Sequence, residues 1–138
     1  MSTDHKWLVL VVEDDPDVRN LIQRALSKEY DVVAAADGAT ALARLQQSPL
    51  PALIVSDIMM PDMDGLEMGR RLKDDSRTAH VPIIFLTALG TPQNIVAGIK
   101  AGARLYITKP FRIPDLLDKV KQVLHPVAGK ARRPGVAR

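Results

Sequence analysis

The sequence predicts a doubly wound α/β sandwich, a fold in which helices cover both faces of a parallel sheet. Three short segments are apolar at every position, which is typical of strands that are buried on both faces. Segments with helical periodicity lie between these strands, and strict alternation of the two kinds of element favours right-handed crossovers in one parallel sheet. The length of 138 residues fits a single domain.

Five strands are predicted along the chain. The three strong ones are runs rich in β-branched residues, at residues 7–12, 52–55 and 81–86. The two weaker ones are residues 31–36 and 104–108. None of these runs is long enough to span a membrane, so we expect a cytoplasmic protein with no membrane partner.

Five helices are predicted from apolar residues that recur on one helical face. The first begins after Asp15, a good N-cap, with Pro16 in its first turn. The apolar residues that mark the five helices are, in order, Val18, Leu21, Ile22, Ala25 and Leu26; Ala39, Leu42 and Leu45; Leu66, Gly69 and Leu72; Ile95, Val96 and Ile99; and Ile113, Leu116, Leu117, Val120, Val123 and Leu124.

The charge is unevenly distributed along the chain. The net charge is +3, but residues 125–138 carry four basic residues and no acidic one. Removing those four charges leaves −1 for residues 1–124. The predicted organisation is therefore an N-terminal extension (1–6), one domain (7–125) and a basic tail (126–138) expected to be disordered. The chain has no cysteine, which excludes disulfides and thiolate metal sites.

Polar residues follow four of the predicted strands. Glu13 and Asp14 follow the first, Asp57 the third, Thr87 the fourth and Lys109 the fifth. Ligands of doubly wound sheets bind at this carboxyl edge. Three carboxylates in one cleft repel one another unless a cation is present, and hard carboxylate oxygens suit Mg²⁺. A metal, an ammonium and a hydroxyl together could hold a phosphoryl group, and a carboxylate can be its covalent acceptor.

Four motifs give this pattern a family resemblance. They are VVEDDPDVR at 11–19, SDIMMPDMDG at 56–65, FLTA at 85–88 and GARLYITKPF at 102–111. The chain resembles the receiver domains of bacterial two-component response regulators, and specifically the single-domain chemotaxis regulators, over about residues 7–125. The resemblance implies a flavodoxin-like (βα)5 fold with strand order 2-1-3-4-5.

The resemblance also implies roles for individual residues. Asp57 would accept the phosphoryl group, and Glu13, Asp14, Asp57 and the backbone carbonyl of Met59 would bind Mg²⁺. The implied phosphate-binding residues are Thr87 and Lys109, the implied switch residues are Thr87 and Tyr106, and the bond before Pro110 is expected to be cis. Such a domain catalyses its own phosphorylation and slow dephosphorylation, without being a conventional enzyme.

The implied partners are a sensor histidine kinase or phosphotransfer protein and an unknown downstream protein. The downstream protein would bind the face formed by the fourth helix, fifth strand and fifth helix. Arg104 and Leu105 stand where the family often has two acids, which leaves the partner and a possible homodimer open. No DNA-binding motif is present, so we expect no DNA binding by this chain.

Two alternative functions follow from the same residues. One is a receiver-like scaffold that binds partners without phosphorylation. The other is an aspartate-dependent phosphatase, which would need an acid two residues after the nucleophile and a threonine two further on. Met59 and Pro61 occupy those positions, which disfavours the phosphatase.

Overall fold

A computed structural model describes residues 6–88, 100 and 103–125. The predicted fourth helix at 91–99, the tail at 126–138 and residues 1–5 lie outside the described residues. Helices are numbered here as they occur in the described part of the chain. The strands are β1 (Leu8–Val12), β2 (Asp31–Ala35), β3 (Leu53–Asp57), β4 (Ile83–Thr87) and β5 (Ala103–Thr108), and the helices are α1 (Pro16–Leu26), α2 (Gly38–Leu45), α3 (Gly65–Lys73) and α4 (Ile113–Leu124).

The five strands form one parallel sheet in the order β2-β1-β3-β4-β5. This confirms the predicted doubly wound, flavodoxin-like α/β fold and its strand order. The central strands β3 and β4 are buried at every residue, as expected for a sheet covered on both faces.

Two apolar cores lie on opposite faces of the sheet, because alternate side chains of each strand point to opposite sides. In β1, Leu10 and Val12 belong to the core that includes residues of α2 and α3. Val9 and Val11 belong to the core that includes residues of α1 and α4. The sheet therefore positions its carboxyl edge between two rigid layers.

Aspartates are the N-cap residues of three helices at the carboxyl edge of the sheet. The side chain of Asp15 accepts hydrogen bonds from Asp17 N and Val18 N, at 2.9 and 3.3 Å. The carboxylate of Asp37 caps α2, and its hydrogen bond from a backbone N–H lowers the pKa of Asp37. Asp64 caps α3. These caps fix where each chain segment turns from the sheet into a helix.

Some predicted boundaries were wrong by one or two residues. The predicted fourth strand began at Val81, but β4 begins at Ile83. Pro82 lacks an N–H and can only accept a hydrogen bond, which its carbonyl does from Ile54 N at 3.0 Å. Conversely, β3 extends through Ser56 and Asp57, since their backbones still pair with β4.

Candidate functional site

The fold brings the predicted site residues of β1, β3 and β5 together. Glu13 directly follows β1, Asp57 is the last residue of β3 and Lys109 directly follows β5. Lys109 Nζ lies 3.1 Å from Glu13 Oε1 and 3.1 Å from Asp57 Oδ2. One ammonium therefore bridges two carboxylates, Glu13 and Asp57, which are 44 residues apart in the sequence.

Both carboxylates of this bridge are buried. The side chains of Glu13 and Asp57 are 1% and 7% exposed, whereas that of Lys109 is 24% exposed. A charge-assisted hydrogen bond between such groups is strong, and its loss would leave a buried carboxylate without a counter-charge. The site thus has two buried carboxylates and a partly exposed ammonium between them.

Burial raises the pKa of Glu13 to about 7, and the negative charge of Asp57 adds to the rise. The hydrogen bond from Asp15 N and the nearby Lys109 ammonium oppose this rise only in part. Burial lowers the pKa of Lys109, but its hydrogen bonds and charge interactions with Asp57 and Glu13 outweigh that effect and leave the pKa above its ordinary value. Burial and the charge of Asp57 therefore disfavour the ionised form of Glu13 more than Lys109 favours it.

Asp14 adds a third carboxylate to this pocket. One oxygen from each of Glu13, Asp14 and Asp57 lies within 4.8 Å of the other two. Asp14 is exposed, so this group of oxygens is open to solvent on one side. Three clustered hard oxygen donors fit Mg²⁺, which binds few protein ligands and keeps several waters.

The loop after Asp57 folds back over the end of β3. Met59 N donates to Asp57 Oδ1 at 3.4 Å, and the Met59 side chain is exposed. Gly65 N donates to the carbonyl of Ile58 at 2.8 Å. A Cβ on Gly65 would lie 2.3 Å from the carbonyl oxygen of Asp57. Glycine is required here by close packing against the phosphoacceptor candidate.

The residue in this loop with left-handed backbone geometry is Asp62, whose φ is 69°. Its neighbours form a tight turn, in which Met63 N donates to the carbonyl of Pro61 at 2.8 Å. The left-handed backbone of the turn is therefore supplied by Asp62, whereas Gly65 is needed for its small size.

The two predicted switch residues lie on adjacent strands. Thr87 ends β4 with a buried side chain, and its carbonyl accepts a hydrogen bond from Lys109 N at 2.7 Å. Tyr106 in β5 is half-buried and packs against Phe85, with ring centroids 6.3 Å apart. The Lys109–Pro110 peptide bond is cis. Arg104, at the departure from the family pattern, is exposed.

Sequence analysis missed Arg19 as a site residue. Its guanidinium Nη1 donates to the backbone carbonyl of Glu13 at 2.9 Å. Arg19 lies inside the first motif, but its spacing of six residues from Glu13 corresponds to no regular helical contact. The clue that the sequence offered was the position of Arg19, a basic residue in the first turns of the helix that follows the acidic end of β1.

None of the helices in the described ranges is both long and apolar enough to cross a membrane.

Comparison with protein families finds a match to the response regulator receiver domain over residues 9–121. Among curated proteins, the DNA-binding dual master transcriptional regulator RpaA of Synechocystis is 39% identical over 117 residues, covering 84% of this chain and 48% of RpaA. The response regulator PleD of Caulobacter vibrioides is 39% identical over 116 residues, covering 83% of this chain and 25% of PleD. The chain thus spans less than half the length of either curated relative.

Comparison with solved structures finds the chemotaxis response regulator CheY4 of Vibrio cholerae. It superposes with a TM-score of 0.81 and 32% sequence identity, covering 86% of this chain and 99% of CheY4. The similarity therefore extends over nearly the whole of that protein.

Proposed function

The chain belongs to the family of response regulator receiver domains, and on that premise we propose that it accepts a phosphoryl group on Asp57 in a Mg²⁺-dependent reaction. The observation that carries this proposal is the buried Asp57 carboxylate, bridged by Lys109 and clustered with Glu13 and Asp14. The proposed donor is a phosphohistidine on a sensor kinase or phosphotransfer protein.

The transfer itself needs a nucleophile and charge neutralisation. A carboxylate oxygen of Asp57 attacks phosphorus, the P–N bond of the phosphohistidine breaks, and the imidazole leaves with a proton from solvent. Glu13, Asp14, Asp57 and the Met59 carbonyl are the proposed ligands of Mg²⁺, which when bound would neutralise charge on the phosphoryl oxygens. Lys109 contributes its ammonium to the same end.

The Lys109 ammonium already lies 3.1 Å from Asp57 Oδ2, so it is in place before a phosphoryl group arrives. Such preorganised charge lowers the barrier because no rearrangement is needed during the reaction. After transfer, the Thr87 hydroxyl would donate a hydrogen bond to a phosphoryl oxygen. The same arrangement allows slow hydrolysis, in which water attacks phosphorus, the P–O bond to Asp57 breaks, and inorganic phosphate leaves the regenerated Asp57 carboxylate.

The response to phosphorylation would pass through Thr87 and Tyr106. When Thr87 turns toward the phosphoryl group, the half-buried Tyr106 would move inward over Phe85. A change on β5 then alters the surface formed by β5 and α4, which would bind the downstream partner. This is a two-state element biased by one local charge change.

Intact-mass spectrometry after incubation with acetyl phosphate and Mg²⁺ tests this proposal. We expect the mass of one phosphoryl group in the unsubstituted chain, and no such mass with a chelator or in the Asp57→Asn variant. The variant keeps the shape of the side chain, so a folded, unmodified Asp57→Asn protein is a matched control. A folded chain that takes up no phosphoryl group would instead support the phosphorylation-independent scaffold.

A further inference from the structure

Arg19 reaches back from α1 to the loop that carries two of the proposed metal ligands. Its side chain is half-buried, and Nη1 donates to the carbonyl oxygen of Glu13 at 2.9 Å. Its own backbone is fixed, because Arg19 N donates to the carbonyl of Asp15 at 2.8 Å. The guanidinium is therefore held between the helix and the end of β1.

The hydrogen bond from Arg19 acts on the peptide that joins Glu13 to Asp14. The carbonyl of Glu13 and the N–H of Asp14 belong to one planar peptide unit. A donor that fixes the carbonyl direction also fixes the direction in which Asp14 leaves the strand. Asp14 is exposed, so its position depends on the backbone to which it is attached.

The other groups of Glu13 are fixed by different partners. Its N–H donates to the carbonyl of Ala35 at 3.1 Å, and its Oε2 accepts from Asp15 N at 3.2 Å. These bonds orient the strand end and the Glu13 side chain. The bond from Arg19 acts on the peptide that leads on to Asp14.

We propose that Arg19 is a positioning residue that strengthens Mg²⁺ binding by fixing the Glu13–Asp14 peptide. This rests on the proposed function, because it assumes that Glu13 and Asp14 bind Mg²⁺. Arg19 acts through the backbone of a ligand residue and touches neither the metal nor the phosphoryl group. Outer-shell hydrogen bonds of this kind orient metal ligands and affect affinity.

The charge of Arg19 and its hydrogen bond have opposite effects on the affinity for Mg²⁺. A guanidinium near the acidic pocket repels a divalent cation, so removing the charge alone would tighten Mg²⁺ binding. Losing the hydrogen bond to the Glu13 carbonyl would weaken Mg²⁺ binding. Lysine keeps the charge, but its ammonium lies one covalent bond nearer the backbone than arginine Nη1 and is strongly hydrated. We therefore expect Arg19→Lys to lose the bond to the Glu13 carbonyl with the charge retained. Arg19→Gln removes both.

Isothermal titration with MgCl₂ measures the affinity of the full chain and three variants. We expect Arg19→Lys to raise the Kd for Mg²⁺ by about tenfold, and Arg19→Gln to raise it by less, because loss of the charge offsets part of the effect. The matched control is Arg24→Gln, an exposed arginine in the last turn of the same helix, which should leave the Kd unchanged.

A second measurement separates positioning from a general loss of stability. In the Arg19→Lys variant, the Mg²⁺ concentration for half-maximal phosphorylation by acetyl phosphate should rise by the same factor as the Kd, while the rate at saturating Mg²⁺ stays close to that of the unsubstituted chain. A variant that is merely less stable would lose rate at every Mg²⁺ concentration. Circular dichroism confirms that each variant is folded.

The outcomes distinguish this inference from the proposed function. An unchanged Kd in Arg19→Lys overturns the positioning role while leaving the metal site in place. An unsubstituted chain that binds no Mg²⁺ overturns the metal site, and the inference with it.

Discussion

Lys109 Nζ lies equidistant, at 3.1 Å, from Glu13 Oε1 and Asp57 Oδ2. The same ammonium therefore pairs two buried carboxylates in the fold, and it lies beside Asp57, the proposed acceptor of the phosphoryl group. This dual role makes the stability of the chain depend on what occupies the pocket.

Replacing Lys109 with methionine should destabilise the metal-free protein. Two charge-assisted hydrogen bonds are lost, so we expect the free energy of unfolding to fall by about 2 kcal/mol in chelator at about pH 8. With saturating Mg²⁺ the loss should be smaller, since the metal supplies positive charge to the same carboxylates. Urea denaturation with and without Mg²⁺ measures both values.

The control for this variant is Lys121→Met, which replaces an exposed lysine in the last turn of α4. It should change the free energy of unfolding little under either condition. An equal loss with and without Mg²⁺ in Lys109→Met would contradict a shared role of the ammonium and the metal.

Stability should also depend on pH through Glu13. Its pKa is about 7 in the fold and 4.5 in the unfolded reference, so the folded state binds the proton more tightly. The stabilisation from this proton is complete below 4.5 and is lost as pH rises through about 7. In chelator, the free energy of unfolding should thus fall by roughly 3 kcal/mol across this window, relative to Glu13→Gln.

Urea denaturation of both proteins at each pH gives the difference between their free energies of unfolding. The contributions of the other titrating groups are the same in both proteins and cancel in this difference. Glutamine cannot titrate, so its curve supplies the reference. Parallel pH profiles of the two proteins would show that Glu13 does not carry the raised pKa.

A methyl group at Gly65 should disrupt both the fold and the site. The Cβ of Gly65→Ala would lie 2.3 Å from the Asp57 carbonyl oxygen, a backbone atom that cannot move without shifting Asp57. We expect a loss of at least about 2 kcal/mol in the free energy of unfolding, together with slower phosphorylation. Gly38→Ala is the matched comparison.

A Cβ at Gly38 would meet Met63 atoms at 3.0 to 3.2 Å, and the nearest of these is the side-chain sulfur. The flexible side chain of Met63 can relax away from this contact, and the Met63 carbonyl oxygen, at 3.1 Å, needs to move by only a few tenths of an ångström. Gly38→Ala should therefore cost less stability and leave phosphorylation faster than in Gly65→Ala. Equal effects of the two substitutions would mean that contact with Asp57 is not what requires Gly65.

The proposed switch predicts a change at one of the two tyrosines. Tyr106 packs against Phe85 of β4, whereas Tyr30 is buried in the core shared by α1 and α4. In protein labelled with 3-fluorotyrosine, beryllofluoride and Mg²⁺ should shift the ¹⁹F signal of Tyr106 and leave that of Tyr30 nearly unchanged. Tyr106→Phe assigns the signals. A static Tyr106 signal in a protein that binds beryllofluoride would contradict the switch role.

Much of this fold could be predicted because its sequence signals are local. Apolar runs such as residues 53–55 identify buried strands without reference to the rest of the chain, and Asp15 with Pro16 identifies a helix start. The parallel topology then places Glu13, Asp57 and Lys109 at one edge. For this reason these three residues could be selected from the sequence alone.

Contacts that depend on side-chain paths could not be predicted in this way. The Arg19 guanidinium reaches a carbonyl six residues away, and that of Arg77 bonds the carbonyls of Leu45 and Gln47 across about 30 residues. Neither contact has a fixed spacing. The steric role of Gly65 was likewise hidden, because a sequence pattern does not show how closely two backbones approach.

Mapping the phosphorylated residue is the most direct test of phosphoryl transfer to Asp57. Borohydride reduces an aspartyl phosphate to homoserine, so protein treated with acetyl phosphate and Mg²⁺ can be reduced, digested and mapped by peptide mass spectrometry. We expect homoserine at position 57, and none in the Asp57→Asn variant or in chelator. Homoserine at Asp14 or Asp62, or no homoserine in a folded protein that binds Mg²⁺, would contradict it.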